Sequence, residues 1–143
     1  MITQISRDDL PLLGRAVRRL RGVEDADVVR AFAGTPTALA FVAVDGTEIL
    51  GWCWGHHPAR PDSGPMLYVH QLEVAEPHRR KGIGRDLLRA FMEAGVKAGA
   101  TKMSLTTGAE NVAARSLYES LGGGLAAQGP AVNYWFLLDP HQR

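Results

Sequence analysis

A strand-like apolar segment, Met66 to Val74, leads through a short basic turn into a strongly amphipathic helix. This strand–turn–helix run constrains the fold more than any other part of the chain. The turn reads Arg79-Arg80-Lys81-Gly82-Ile83-Gly84. After it, Ile83, Leu87, Leu88, Phe91 and Val96 recur at helical spacing. The first turn of a helix has unpaired N–H groups and a partial positive charge. Glycines let a ligand approach the backbone closely and take dihedrals that other residues resist. Basic side chains, two glycines and a helix start therefore meet at one point, which suits a phosphate-bearing ligand and a pyrophosphate best. Alone, the same run also reads as an ordinary solvated helix start.

A chain of 143 residues is expected to form one domain, residues 1–143. That length buries roughly 68% of the unfolded surface. Apolar content of 45% and charged content of 22% exclude a disordered chain. A formal net charge of +1 gives no reason to expect nucleic acid or a membrane surface as partner. The single cysteine, Cys53, excludes an internal disulfide and a cysteine metal cage, and fits a reducing compartment. No apolar run reaches the ~20 residues that span a bilayer. The start Met1-Ile2-Thr3-Gln4 lacks a signal-peptide pattern, so a cytoplasmic location is the expectation.

The remaining elements follow from periodicity and punctuation. Ile2 to Ile5 reads as a strand. Ser6 with Asp9 caps a helix through Arg21 that Gly22 ends. A second helix runs from about Asp25 to Phe32, before Gly34 and Pro36. Ala38 to Val44 and Glu48 to Gly55 read as strands joined by the hairpin signal Asp45-Gly46. His57 to Pro65 holds three prolines and a glycine and is a loop. Gly82 to Ala98 is the long helix, Lys102 to Thr106 a strand, Val112 to Leu121 a helix and Asn133 to Leu138 a final strand. Leu125 to Gln128 is a further candidate strand. The order describes an α/β (α+β) chain with a mixed, mainly antiparallel sheet flanked by helices.

A nucleotide P-loop and a dinucleotide fingerprint both fail on this turn, because Gly-Lys-Ser/Thr and a third glycine are absent. Arg79-x-x-Gly82-x-Gly84 resembles the pyrophosphate loop, Arg/Gln-x-x-Gly-x-Gly/Ala, of the GNAT N-acetyltransferases. Leu72-Glu73-Val74, ending five residues before Arg79, resembles the family's Leu-x-Val strand end. Asn111-x-x-Ala114-x-x-Leu117-Tyr118-x-x-Leu121-Gly122 resembles its second signature, in the family's order and separation. The likeness covers about residues 38 to 138. It implies a six- to seven-stranded sheet, splayed at a central parallel pair and flanked by four helices. It also implies acetyl-CoA as cosubstrate, and allows a homodimer.

Acyl transfer to an amine needs a held thioester, an uncharged amine and a proton for the departing thiolate. By resemblance, acetyl-CoA would place its pyrophosphate on Arg79, Arg80, Lys81, Gly82, Ile83, Gly84 and Arg85. Its pantetheine arm would pair with the backbone at Leu72 and Val74, as in strand addition. Both residues also read as core. Tyr118, protonated at neutral pH, is the candidate general acid, against a reading as a packing residue. Asn111 reads as a helix N-cap and as a pantetheine partner.

The amine presents the harder problem, since an alkyl ammonium is free base only about one part in two thousand at pH 7. The candidate bases are His70, which stands four residues before Val74, and Glu73. A water relay is the third option. Strict alternation turns His70 toward the helix with Leu72 and Val74. A β-bulge, common in this strand of the family, re-aims it, and without one Glu73 is the better base. His56 and His57 lack partners at metal-ligand spacing and read as loop residues, so no metal is expected.

The acceptor is expected to be a small cationic amine. The run Glu24-Asp25-Ala26-Asp27 is the densest acidic stretch and lies where the resemblance implies an acceptor-side lid. Its bland reading is helix capping. Glu73 and Gln71 are the other acceptor candidates. The stretch Leu72 to Gly84 and the ending Tyr134-Trp135-Phe136 resemble the aminoglycoside 3-N-acetyltransferase type I branch, which is associated with antibiotic resistance. Gln71 stands where that branch carries an acid. Trp52, Trp54 and Trp135 read either as acceptor-pocket walls or as core. A protein N-acetyltransferase and a noncatalytic acyl-CoA-binding module are the alternatives.

Overall fold

A computed structural model describes residues 1–126 and 129–139. The chain divides into two compact units, Met1–Thr106 and Thr107–Arg143. In the first, β1 (Ile2–Gln4) is followed by a single 3-10 turn, then by α1 (Leu10–Arg21) and α2 (Ala26–Ala33). Three strands come next: β2 (Ala38–Asp45), β3 (Glu48–His56) and β4 (Leu67–Val74). The long helix α3 (Ile83–Lys97) and the short strand β5 (Met103–Ser104) complete it. The sheet order is β1-β2-β3-β4-β5, antiparallel throughout except for the parallel pair β4/β5.

Local chemistry sets the helix ends. Ser6 and Asp9 form a reciprocal capping box ahead of α1. Gly22, at φ 72°, closes α1 with its N–H on the Arg18 carbonyl at 3.0 Å. The β2–β3 hairpin closes on the two-residue loop Gly46-Thr47, one residue on from the Asp45-Gly46 signal, with Asp45 paired to Glu48 and Gly46 at φ 58°.

The sheet buries both faces. Leu13 and Ala16 of α1 and Val29 of α2 pack with Ala40, Val42, Val44, Ile49 and Trp52 on one face. On the other, Phe91 and Leu87 of α3 are fully buried, and the Phe41 and Phe91 rings meet edge to face at 6.3 Å. Helix and sheet come so close here that a Cβ on Gly55 would collide with the Tyr68 carbonyl and lie 2.8 Å from the Phe91 ring.

The second unit holds α4 (Val112–Ser120). Asn111 Oδ1 accepts the Ala114 N–H at 3.1 Å, so Asn111 is the N-cap that its position suggests. Gly122, at φ 94°, turns the chain, and the Gly123 N–H reaches the Tyr118 carbonyl at 2.9 Å.

Two expectations about the sheet are corrected. It has five strands among the described residues, and its parallel pair lies at the sheet's end rather than its centre. Asn133 to Leu138 forms no strand, and neither do Leu125 and Ala126, while Ala127 and Gln128 lie outside the described residues. A strand needs a neighbour to bond, and the unit Thr107–Arg143 contains no strand among its described residues. Trp135, 93% exposed, is not core. The Lys102–Thr106 strand shortens to Met103–Ser104.

Candidate active site

β4 has two different edges. Toward β3 it is paired along its length, from His56↔Tyr68 to Gly51↔Val74. Toward β5 it is paired only at Leu67↔Met103 and Tyr68↔Ser104. From Val69 to Val74 that second edge has no ladder partner among the described residues. The Ala75 N–H donates to the Leu50 carbonyl at 2.8 Å. Bonded pairs alternate along an antiparallel ladder, so the backbone groups of Leu72 and Val74 are directed to the open edge. This is the geometry that accepts an added extended chain.

The basic turn follows directly. A 3-10 turn, Glu76–His78, precedes it, and His78 Nε2 lies 2.8 Å from Glu48 Oε1. Arg79 Nε donates to the Val74 carbonyl at 2.9 Å. Arg80 is left-handed at φ 66°, a conformation that costs a non-glycine residue energy. Gly82, also left-handed at φ 83°, is the N-cap of α3, with open space where a Cβ would stand. The first backbone bond of the helix start runs from Asp86 N–H to the Gly82 carbonyl at 3.1 Å. The amides of Ile83 and Gly84 are among those a helix start leaves without intrahelical acceptors. Exposed Arg80 and Lys81 flank them. The turn fits a polyanionic pyrophosphate in amide direction, charge and clearance.

A bulge decides which way His70 faces. Gln71 pairs with Trp54 and Val69 with Gly55, so His70 is the extra residue of β4. Beyond it the alternation flips. Tyr68, His70, Gln71 and Glu73 share the face of Trp52, Trp54 and His56, toward α1 and α2. Leu72 and Val74 lie opposite Cys53 and Gly51 on the α3 face. The His70 ring stacks on Trp54 at 5.2 Å between centroids and 25° between planes. His56 meets His70 edge to face at 5.0 Å and Phe32 of α2 at 5.7 Å. Trp54 Nε1 donates to Gln71 Oε1 at 2.8 Å. Glu73 Oε1 lies 4.0 Å from Arg21. His56 has its pKa lowered, first by burial, then by the charges of His70 and His57.

The acidic residues Glu24, Asp25 and Asp27 at the start of α2 are all engaged locally. Glu24 pairs with Arg18 at 3.0 Å, and Asp27 with Arg30 at 2.7 Å. Asp25 Oδ1 caps α2, accepting from the Asp27 and Val28 amides at 3.0 and 3.1 Å. Tyr118 is half-buried on α4. No group of three or more metal-ligating side chains occurs among the described residues. No helix among them is long and apolar enough to cross a membrane.

Sequence reading missed the ring cluster of Phe32, Trp54, His56 and His70. The alternation Trp52-x-Trp54-x-His56 holds its strand half. The contribution of Phe32 from α2 has no local signal.

A mixed sheet with an open-edged strand running into a phosphate-suited helix start can seat a polyanionic carrier with an extended arm. The chain belongs to the acetyltransferase (GNAT) family, whose model matches residues 3–123. The cosubstrate of that family is acetyl-CoA. An N-acetyltransferase of Bacillus subtilis (strain 168), YycN, is 37% identical over 76 residues, 52% of this chain and 47% of that protein. N-alpha-acetyltransferase 40 of Saccharomyces cerevisiae is 38% identical over 76 residues, 48% of this chain and 27% of that protein. The chain spans less than half the length of these relatives. Among solved structures, the aminoglycoside acetyltransferase meta-AAC0020, from an uncultured soil metagenomic sample, superposes with TM-score 0.85. It is 20% identical, with 96% of this chain and 95% of that chain covered. AAC(6')-Iy in complex with a CoA-linked bisubstrate analogue gives TM-score 0.76 at 18% identity, covering 96% and 97%. At these identities the structural likeness shows the fold.

Proposed function

We propose that this chain acts as one acetyltransferase domain, transferring the acetyl group of acetyl-CoA to a primary amine on a small cationic molecule such as an aminoglycoside. The observation that carries this reading is the bulge at His70. It puts an imidazole, the Gln71 amide and the Glu73 carboxylate on one face of the strand whose other edge is open. The turn from Arg79 to Arg85 binds the pyrophosphate, and the backbone of Leu72 and Val74 pairs with the pantetheine arm. His70 takes a proton from the ammonium, leaving the electron pair on nitrogen. The amine attacks the thioester carbonyl, the C–N bond forms and the C–S bond breaks. Tyr118 supplies the proton that converts thiolate to thiol.

The acceptor's charge is met by Glu73, whose own ion pair with Arg21 is long at 4.0 Å. Glu24, Asp25 and Asp27 already have partners, so they contribute less than their number suggests. The aminoglycoside reading draws support from solved neighbours named as aminoglycoside acetyltransferases. Transfer at the 3-amino group, and a part in antibiotic resistance, rest on the stretch Leu72 to Gly84 and on Tyr134-Trp135-Phe136 alone. The likeness to N-alpha-acetyltransferase 40 favours a second reading, a peptide amine as acceptor.

The test is CoA release from acetyl-CoA with a panel of aminoglycosides, polyamines and peptides. Turnover with an aminoglycoside and none with peptides is the expected result. Peptide turnover alone selects the second reading. Acetyl-CoA binding without turnover on any amine selects a noncatalytic binding module.

A further inference from the structure

The bulge brings a second imidazole to the candidate base. His56 ends β3 and His70 is the extra residue of β4, and their rings meet edge to face at 5.0 Å. Each ring is also held from another side. The Trp54 indole lies flat against His70 at 5.2 Å, and its Nε1 is fixed by the Gln71 amide oxygen. Phe32 of α2 meets His56 at 5.7 Å and Trp54 at 5.5 Å. Both imidazoles are thus positioned by aromatic packing on the face that carries Gln71 and Glu73.

We propose that His56 and His70 act as one proton-accepting unit, in which either imidazole can take the amine's proton and the first proton bound disfavours a second on the neighbouring ring. The proposal rests on the reading of His70 as the base and adds His56 to it. The acceptor ammonium breaks one N–H bond and keeps the electron pair. The proton goes to a neutral imidazole nitrogen of the pair and then to solvent. Two cationic rings this close repel, so the second proton binds only at lower pH. Burial of His56 and the charges of His70 and His57 act in the same direction, holding His56 neutral near pH 7.

The other titratable or charged groups around the pair are few. Tyr68 pairs with His56 across the ladder, His57 follows it, and Glu73 lies further along β4, bridged toward Arg21 of α1. On α2, Asp27 and Arg30 neutralise each other at exposed positions, as do Arg60 and Asp62 in the loop after β3. Among the described residues, His56 is the titratable ring in contact with His70.

The experiment titrates the histidine Cε1–H signals by NMR in the wild type, His56→Phe, His70→Phe and the double variant, and measures the acid limb of kcat/KM with acetyl-CoA and the fastest amine of the panel. Phenylalanine keeps the ring packing. His56→Gln and His70→Gln repeat the series should a Phe variant fold poorly. His70→Phe should raise the His56 pKa, because the repelling charge is gone. Its acid limb should persist at lower pH, since burial still depresses His56, and only the double variant should lose the limb. A His56 titration unchanged by His70→Phe overturns the pair. A limb abolished by His70→Phe alone also overturns it, while leaving His70 as sole base. A limb intact in the double variant overturns both readings. If no amine on the panel turns over, the proposed function falls, and the titration decides the pair by itself.

Discussion

Arg79 folds back on the strand it follows, its Nε donating to the carbonyl of Val74 at 2.9 Å. The bond ties the end of β4 to the turn that starts α3. It occupies one of the backbone groups that β4 directs to its open edge. A carrier arm lying along that edge either leaves the Val74 carbonyl to Arg79 or displaces it. The two halves of the site, strand edge and helix start, are thus joined by a single side chain.

Acetyl-CoA binding should depend on the backbone of the turn as well as on its charge. Gly82→Val, which forces a branched side chain to φ 83°, should weaken binding at least tenfold, about 1.4 kcal/mol. Arg80→Glu should do the same by charge. Arg80→Gly relieves a left-handed residue while freeing the unfolded chain, so stability should change by less than about 1 kcal/mol. Calorimetric titration of the three folded variants checks this, and unchanged affinity for the first two removes the pyrophosphate from this turn.

Tyr118→Phe should lower turnover by about 100- to 10,000-fold, on the order of what a general acid contributes. Acetyl-CoA affinity should stay within about twofold. A loss of turnover under threefold makes Tyr118 a packing residue whose proton comes from water instead.

Asp25 separates capping from substrate binding. As a cap whose oxygen takes two amides, Asp25→Ala should cost about 1 kcal/mol, and Asp25→Asn should cost little because asparagine caps equally well. Denaturant melts give the stability difference. Should Asp25→Asn instead raise KM for a cationic acceptor severalfold, the charge acts on substrate.

Cys53 is fully buried between sheet and α3, and burial pushes its thiol pKa up to about 12. Only the thiolate reacts, so its fraction stays negligible at every pH below about 9. Thiol reagents at pH 8 should label the native protein at the rate of its unfolding, and the denatured protein at once. Rapid native labelling would place the side chain at the surface.

The local signals were carried by sequence. Ser6 and Asp9 cap each other because a capping box closes within four residues. Asp45-Gly46 marks its hairpin because glycine takes a positive φ at no steric cost. The strand, turn and helix from Leu67 to Lys97 follow from alternation, glycine placement and helical spacing. That is why the basic turn and its left-handed glycine were legible. Gly82 is left-handed where its motif puts glycine.

Tertiary structure decided what the site faces. Sequence alternation turned His70 toward α3, and the pairing of β4 with β3 turned it the other way. A bulge is a mismatch between two strands distant in sequence, so neither strand alone specifies it. The contact of Phe32 with Trp54 and His56 needs α2 folded over the sheet, and the pairing of Glu24 with Arg18 needs the turn between α1 and α2. An acidic run that looks like a charged lid in one dimension becomes a cap and two ion pairs in three. Dihedral preference and hydrophobic period act over a few residues and are written locally. The direction and net charge of a side chain depend on neighbours that only the folded chain brings within reach.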